Sequence, residues 1–194
     1  MLNRKQTIKD STSARGPISV PARHEVLQKE YKKSPEKAWI VDAAKTSSRD
    51  IPATEPLYTV VNIQSGESVE LPIAVHTAVG GESELPTPGH LLSAALASCF
   101  DSATRMIANR VGLELKELEV SAALGVDVRG TLCMDMTVPV GFQRAELSVR
   151  IVGGKNSTEQ QIQQVLKAAE HCCILIQTLR KPPEISLATT IVNQ

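Results

Sequence analysis

Apolar and polar positions are spaced in two ways along the chain, and the spacing changes near Pro88. Before it come three short apolar runs: AWIVDAA (38–44), LYTVVNIQ (57–64) and VELPIAVHTAV (69–79). They are rich in β-branched residues and separated by Pro, Gly, Asp and Ser, so they read as strands, with SGES at 65–68 as a hairpin turn. GGESELPTP (80–88) reads as a loop. From Pro88 to Arg110 the period becomes helical. Leu92, Leu96, Cys99, Ala103 and Met106 recur at three- and four-residue steps and form one apolar face. Thr87 can cap this helix, Pro88 can take its first position and Gly112 can stop it. Ser93, Ala94, Ala95, Ala97 and Ser98 are small enough to admit close neighbours, which suits a central, buried helix. Asp101 and Arg105 are spaced for a surface ion pair.

Two longer strands follow, Leu115 to Val128 and Arg144 to Val152. A second helix spans Thr158 to Cys173, with Ser157 as its cap and Ile162, Val165, Leu166 and Ala169 as its stripe. A helical continuation runs to Arg180, where KPPE ends it. Ile185 to Val192 reads as a final strand. Residues 1–37 are polar and basic, with a short helix expected over Arg23 to Lys33. They read as an extension, partly helical or disordered, that packs on another element or on a partner. Residues 38–194 read as one domain. Segregated runs of strands and helices predict an α+β fold, with helices packed on an antiparallel-rich sheet.

Composition narrows the function classes. Lys+Arg and Asp+Glu are both 21, so no global field draws the chain to phosphate backbones or anionic membranes. The aromatics are Trp39, Tyr31, Tyr58, Phe100 and Phe142, too few for nucleic-acid stacking platforms, so the core must be aliphatic. The first residues lack a secretory apolar stretch, and no run approaches a membrane span, so a soluble cytoplasmic protein is expected. Cys99, Cys133, Cys172 and Cys173 do not form the pattern of a secreted disulfide scaffold. In a reducing compartment they are buried small hydrophobes, metal ligands or redox thiols.

Cys99 is in phase with the apolar stripe of the first helix. It lies some twelve residues in, too far for the helix N-terminus to activate it, so any activation must come from another segment. On the second helix, at about 100° per residue, Cys173 falls near the centre of the stripe. Cys172 falls at its edge and His171 nearly opposite. If the two helices pack, Cys99 and Cys173 can meet, though spacing alone does not make them a redox pair. Adjacent His171, Cys172 and Cys173 converge poorly on a metal, and no metal site is expected. A vicinal Cys172–Cys173 disulfide would be strained. Cys133 reads as structural. His24, His76 and His90 read as satisfied surface or core histidines, with His76 able to face a pocket and His90 pointing away from Cys99.

Two segments carry a family resemblance. PGHLLSAALASCFDSATRMIANRVGLELKELEVSAALGVDVRGTL resembles the central helix and following strand of the OsmC/Ohr thiol peroxidases. AEHCCILIQTLRKPPEISL resembles that family's second cysteine helix, and counting back from Leu179 selects Cys173 over Cys172. The resemblance covers roughly residues 38–194. It implies an intertwined homodimer with active sites at the subunit interface and no cofactor. Cys99 would be the peroxidatic thiolate attacking an organic hydroperoxide, Cys173 the resolving thiol, and an external dithiol the reductant. Arg49, in SSRD, matches the family's activating arginine. The position of the glutamate that holds this arginine is Gly89, a departure that leaves Glu82 or Glu84 as candidate substitutes. Cys172 is a further supporting candidate. Two other readings stay open: a binding protein that holds a hydrophobic ligand with little turnover, and a redox sensor whose disulfide alters a partner surface.

Overall fold

The computed structural model describes residues 18–66, 68–82 and 85–192. The element order is α1 (Val20–Lys33), β1 (Ala43–Thr46), β2 (Tyr58–Gln64), β3 (Val69–Ala74), α2 (Pro88–Val111), β4 (Leu115–Gly125), β5 (Arg144–Gly153), α3 (Glu159–Cys172) and α4 (Ile174–Arg180). Strands β1, β2 and β3 form one antiparallel sheet in that order, and β4 and β5 form a second. The architecture is α+β with antiparallel sheets.

The core lies between α2, α3, α4 and the β4–β5 ribbon. Leu96, Phe100 and Ala103 of α2 meet Ala169, Cys173 and Ile176, and Val120, Ala122, Leu147 and Val149 of the ribbon pack against this cluster. The ribbon can do this because every second β4 residue, from Leu118 through Val120 and Ala122 to Leu124, turns the same way. Helix α2 begins with a reciprocal cap: Thr87 Oγ1 accepts from the His90 N–H while His90 Nδ1 accepts from the Thr87 N–H. It ends at Gly112, whose φ of 69° is the left-handed conformation that a glycine adopts freely.

Several expectations shift in the structure. The buried side of α2 is centred on Leu96, Phe100, Ala103, Thr104 and Ala108, so Met106 is exposed and Cys99 lies at the edge, half-buried. Ala94, Ala95 and Ser98 are also exposed, so the small-residue face of α2 is uncovered in the single chain. Thr158, not Ser157, caps α3 and shares a capping box with Gln161, whereas Ser157 Oγ donates to the Glu114 carbonyl. Strand β4 stops at Gly125 because residues 127–134 turn, with Arg129 paired to Asp127. Cys133 is exposed in that turn at φ 55°, with no core for it to stabilise. Strand β3 ends at Ala74, and His76 instead caps the 3-10 turn Thr77–Val79. Residues 185–192 form no strand and pair with neither sheet. Helix α1 starts earlier than expected and is tied to the end of α2 by Asn109, which bonds the Val20 N–H (2.8 Å) and the Ile18 carbonyl (3.0 Å).

Candidate active site

The two phase-matched thiols meet. Cys173 Sγ lies 3.3 Å from Cys99 Sγ and donates its S–H to it. A disulfide is about 2.05 Å long, so a bond needs only a small approach of the two sulfurs. Two local features fix the pair. Cys99 comes from the mid-length of α2, one residue before buried Phe100. Cys173 sits at the junction where α3 ends and α4 begins, its φ and ψ of −72° and 108° leaving the helical region between them. That break turns the Cys173 side chain back toward α2 and lets the Cys173 N–H close the last turn on the Ala169 carbonyl at 2.8 Å.

The environments of the two sulfurs differ. Cys173 is 0% exposed, while Cys99 is half-buried and open to attack from outside. Burial pushes the Cys173 thiol above the ordinary thiol range, and its bond to Cys99 adds to the shift. The backbone N–H groups of Ile176 and Leu175 pull the other way and offset part of it. Cys173 is thus held as a protonated donor beside Cys99.

The remaining candidates fall elsewhere. Cys172 is exposed on the far side of the helix end and has no sulfur partner among the described residues. Arg49 lies in the exposed turn after β1, where its backbone N–H bonds Ser47 Oγ at 3.1 Å, and it takes no ion pair among the described residues. Glu82 is exposed in the loop before α2, and Glu84 lies outside the described residues. Gly89 occupies the second position of α2. A Cβ built there would come within 3.1 Å of the Phe142 ring. An aromatic ring from the β4–β5 connection therefore occupies the space into which a longer residue 89 would grow. No periodicity points to this role of Phe142, because the contact spans more than fifty residues of chain.

A model of the OsmC-like protein family matches residues 80–188. The chain belongs to this family. The matched segment holds both cysteines of the close pair. Solved OsmC-like structures share the fold at low identity. An organic hydroperoxide resistance protein from Elizabethkingia anophelis is 20% identical with a TM-score of 0.56, over 74% of this chain and 91% of that one. An organic hydroperoxide resistance protein OsmC from Legionella pneumophila is 21% identical with a TM-score of 0.54, over 73% and 90%. An OsmC-like protein of unknown function from Vibrio cholerae is 14% identical with a TM-score of 0.57, over 72% and 94%. No curated protein matches the chain. Among the described residues no helix is long and apolar enough to cross a membrane.

Proposed function

We propose that this OsmC-like chain is a thiol-dependent peroxidase that reduces organic hydroperoxides to alcohols. The observation that carries the reading is the 3.3 Å approach of Cys173 Sγ to Cys99 Sγ across two separate helices. In the first step the Cys99 thiolate attacks the terminal peroxide oxygen of ROOH. The O–O bond breaks, the RO⁻ fragment takes a proton and leaves as ROH, and Cys99 becomes a sulfenic acid. In the second step the Cys173 sulfur attacks the sulfenic sulfur. A disulfide forms and the hydroxyl leaves as water with the Cys173 proton.

An external dithiol then returns the pair to the reduced state. Because Cys173 is sealed and Cys99 half-exposed, the reductant attacks Cys99 and expels Cys173 as the leaving thiol. Arg49 is the proposed activating cation. The assembly is a homodimer. Trp39 (82% exposed) and Val41 precede β1, and Ile185 (95%) and Leu187 follow α4, all uncovered by this chain. Glu82 is the remaining described candidate for holding Arg49, and Gln in its place should then lower the peroxidase rate.

The test is a free-thiol count with intact mass before and after one equivalent of cumene hydroperoxide. Loss of two thiols and about 2 Da in wild type, but not in Cys99→Ser, is the expected result. Retention of all thiols over minutes would end the peroxidase reading.

A further inference from the structure

We propose that Glu170, Gln177 and Arg180 form a positioning clamp across the α3–α4 break, and that this clamp sets how readily Cys173 closes on Cys99. Its chemical consequence rests on the peroxidase reading; the clamp itself rests on geometry alone.

The break needs such a hold. Cys173 leaves the helical region between two helices, so its side chain is aimed by how α4 sits on α3. Helix α4 has only seven residues, too few to be stable in isolation. Ile176 anchors one side of it in the core. Two side-chain bonds tie it to α3 on the exposed side, and both end on Glu170. The last four carbonyls of a helix have no partner within it. That of Glu170 accepts from Gln177 Nε2 at 2.9 Å, and the Glu170 carboxylate accepts from the Arg180 guanidinium at 2.5 Å. Glu170 lies three residues before Cys173, and Gln177 and Arg180 lie four and seven residues after it. The clamp therefore spans the residue whose sulfur must move, and neither of its bonds involves a sulfur.

Both partners of the ion pair are open to solvent, with side chains 59% exposed for Arg180 and 46% for Glu170. An exposed pair adds little to global stability and is screened by salt. Its effect here is local. The two sulfurs stand 3.3 Å apart and must close to about 2.05 Å, a step whose rate depends on their alignment. A sulfenic acid on Cys99 has two fates. The Cys173 sulfur attacks the sulfenic sulfur, so that a disulfide forms and water leaves. Otherwise the sulfenate sulfur attacks the terminal oxygen of a second hydroperoxide, the O–O bond breaks, ROH leaves and Cys99 becomes a sulfinic acid. Slowing the first fate feeds the second. The clamp thus guards Cys99 against overoxidation.

The test uses the full chain and two readouts. Equilibration with reduced and oxidised glutathione reads the effective concentration of the Cys99–Cys173 pair without peroxide, from the mass of the linked peptides. Arg180→Met should lower it about fivefold, Arg180→Lys should keep most of it, and Glu170→Gln should add nothing to Arg180→Met. About 1 M NaCl should lower it in wild type and leave Arg180→Met unchanged. About ten equivalents of cumene hydroperoxide without reductant read the partition. The sulfinic acid, about 32 Da heavier, should rise about fivefold in Arg180→Met, with the first oxidation of Cys99 as fast as in wild type. Both variants should melt as wild type does. An unchanged effective concentration in Arg180→Met, or additive effects of the two substitutions, would overturn the clamp. So would a fall in melting temperature in step with the loss of pairing, the mark of a merely structural role. A wild-type Cys99 that resists peroxide would end the peroxidase reading instead, and the glutathione equilibrium would still decide the clamp.

Discussion

Two parts of this molecule solve the same problem in opposite ways. The carboxyl-terminal part, α2 with β4, β5, α3 and α4, builds a buried apolar cluster within one chain, with Cys173 inside it and Cys99 packed against it. The amino-terminal sheet does not. Strand β1 is exposed along its whole length, and β2 is at best half-buried. The apolar residues at 39–41, and Ile185, Leu187, Ile191 and Val192, also face solvent. The proposed thiol chemistry therefore rests on the self-contained part, where intrachain packing sets the distance between the two sulfurs. The open part carries Arg49 and the surface that a second copy would cover. A protein built this way holds its close sulfur pair by packing within one chain, while the surfaces around its first sheet stay uncovered.

The sharpest way to break this comparison is to cut into the self-contained part. Leu96 is 1% exposed at the centre of the cluster, and Leu96→Ala should cost about 2–5 kcal/mol of unfolding free energy in urea. Ile185→Ala, at a solvent-facing site, should change monomer stability by less than about 0.5 kcal/mol. Its effect should appear instead in sedimentation velocity, as a weaker dimer. Equal destabilisation by the two substitutions would erase the distinction between the regions.

Next in size is the contact that crosses the helix start. Gly89→Glu drives a side chain into the Phe142 ring and should cost about 1–3 kcal/mol. Phe142→Ala in the same chain should recover most of that loss, a coupling that a double-mutant cycle reads directly. If the two changes simply add, Phe142 is not what occupies the space beside residue 89.

Much of the fold was legible where period and packing agree. Ile162, Val165, Leu166 and Ala169 formed a helical stripe in the sequence, and Cys173 continued it, so helical phase alone placed the buried sulfur. The meeting of Cys99 and Cys173 followed from two such faces turned toward each other. Cap identity was less legible. Ser157 and Thr158 are chemically alike and adjacent, and what decides between them is Gln161, three residues beyond Thr158, which returns a bond to the Thr158 N–H. The same proximity of alternatives hid the end of β4, where the Asp127–Arg129 pair competes with strand continuation. The strand expected over 185–192 fails for a different reason. A strand's ladder requires a neighbour, and alternation in sequence does not supply one. The role of Phe142 depends on a contact between distant segments, which no periodicity encodes. A cap prediction sharpens the local part of this lesson: Thr158→Ala should cost about 1 kcal/mol and lower helicity, more than Ser157→Ala at the neighbouring position.

The smallest effect concerns the two sulfurs at the end of α3. Cys173 is sealed and its thiol raised above the ordinary range, so in that range the folded chain holds a proton that the unfolded chain releases. Stability is governed by the difference in bound protons, and here the folded state binds more. The contribution of Cys173 is therefore fully present below the unfolded thiol value of about 8.5, and it declines as pH rises through that value toward the raised one. Urea unfolding of the reduced chain between about pH 7 and pH 10 should show this decline, and Cys172→Ala should retain it because that thiol is exposed. Cys173→Ala should flatten it. If Cys172→Ala flattens the profile and Cys173→Ala does not, the assignment of the sealed and open thiols is reversed, and the route by which a reductant reaches Cys99 must be redrawn.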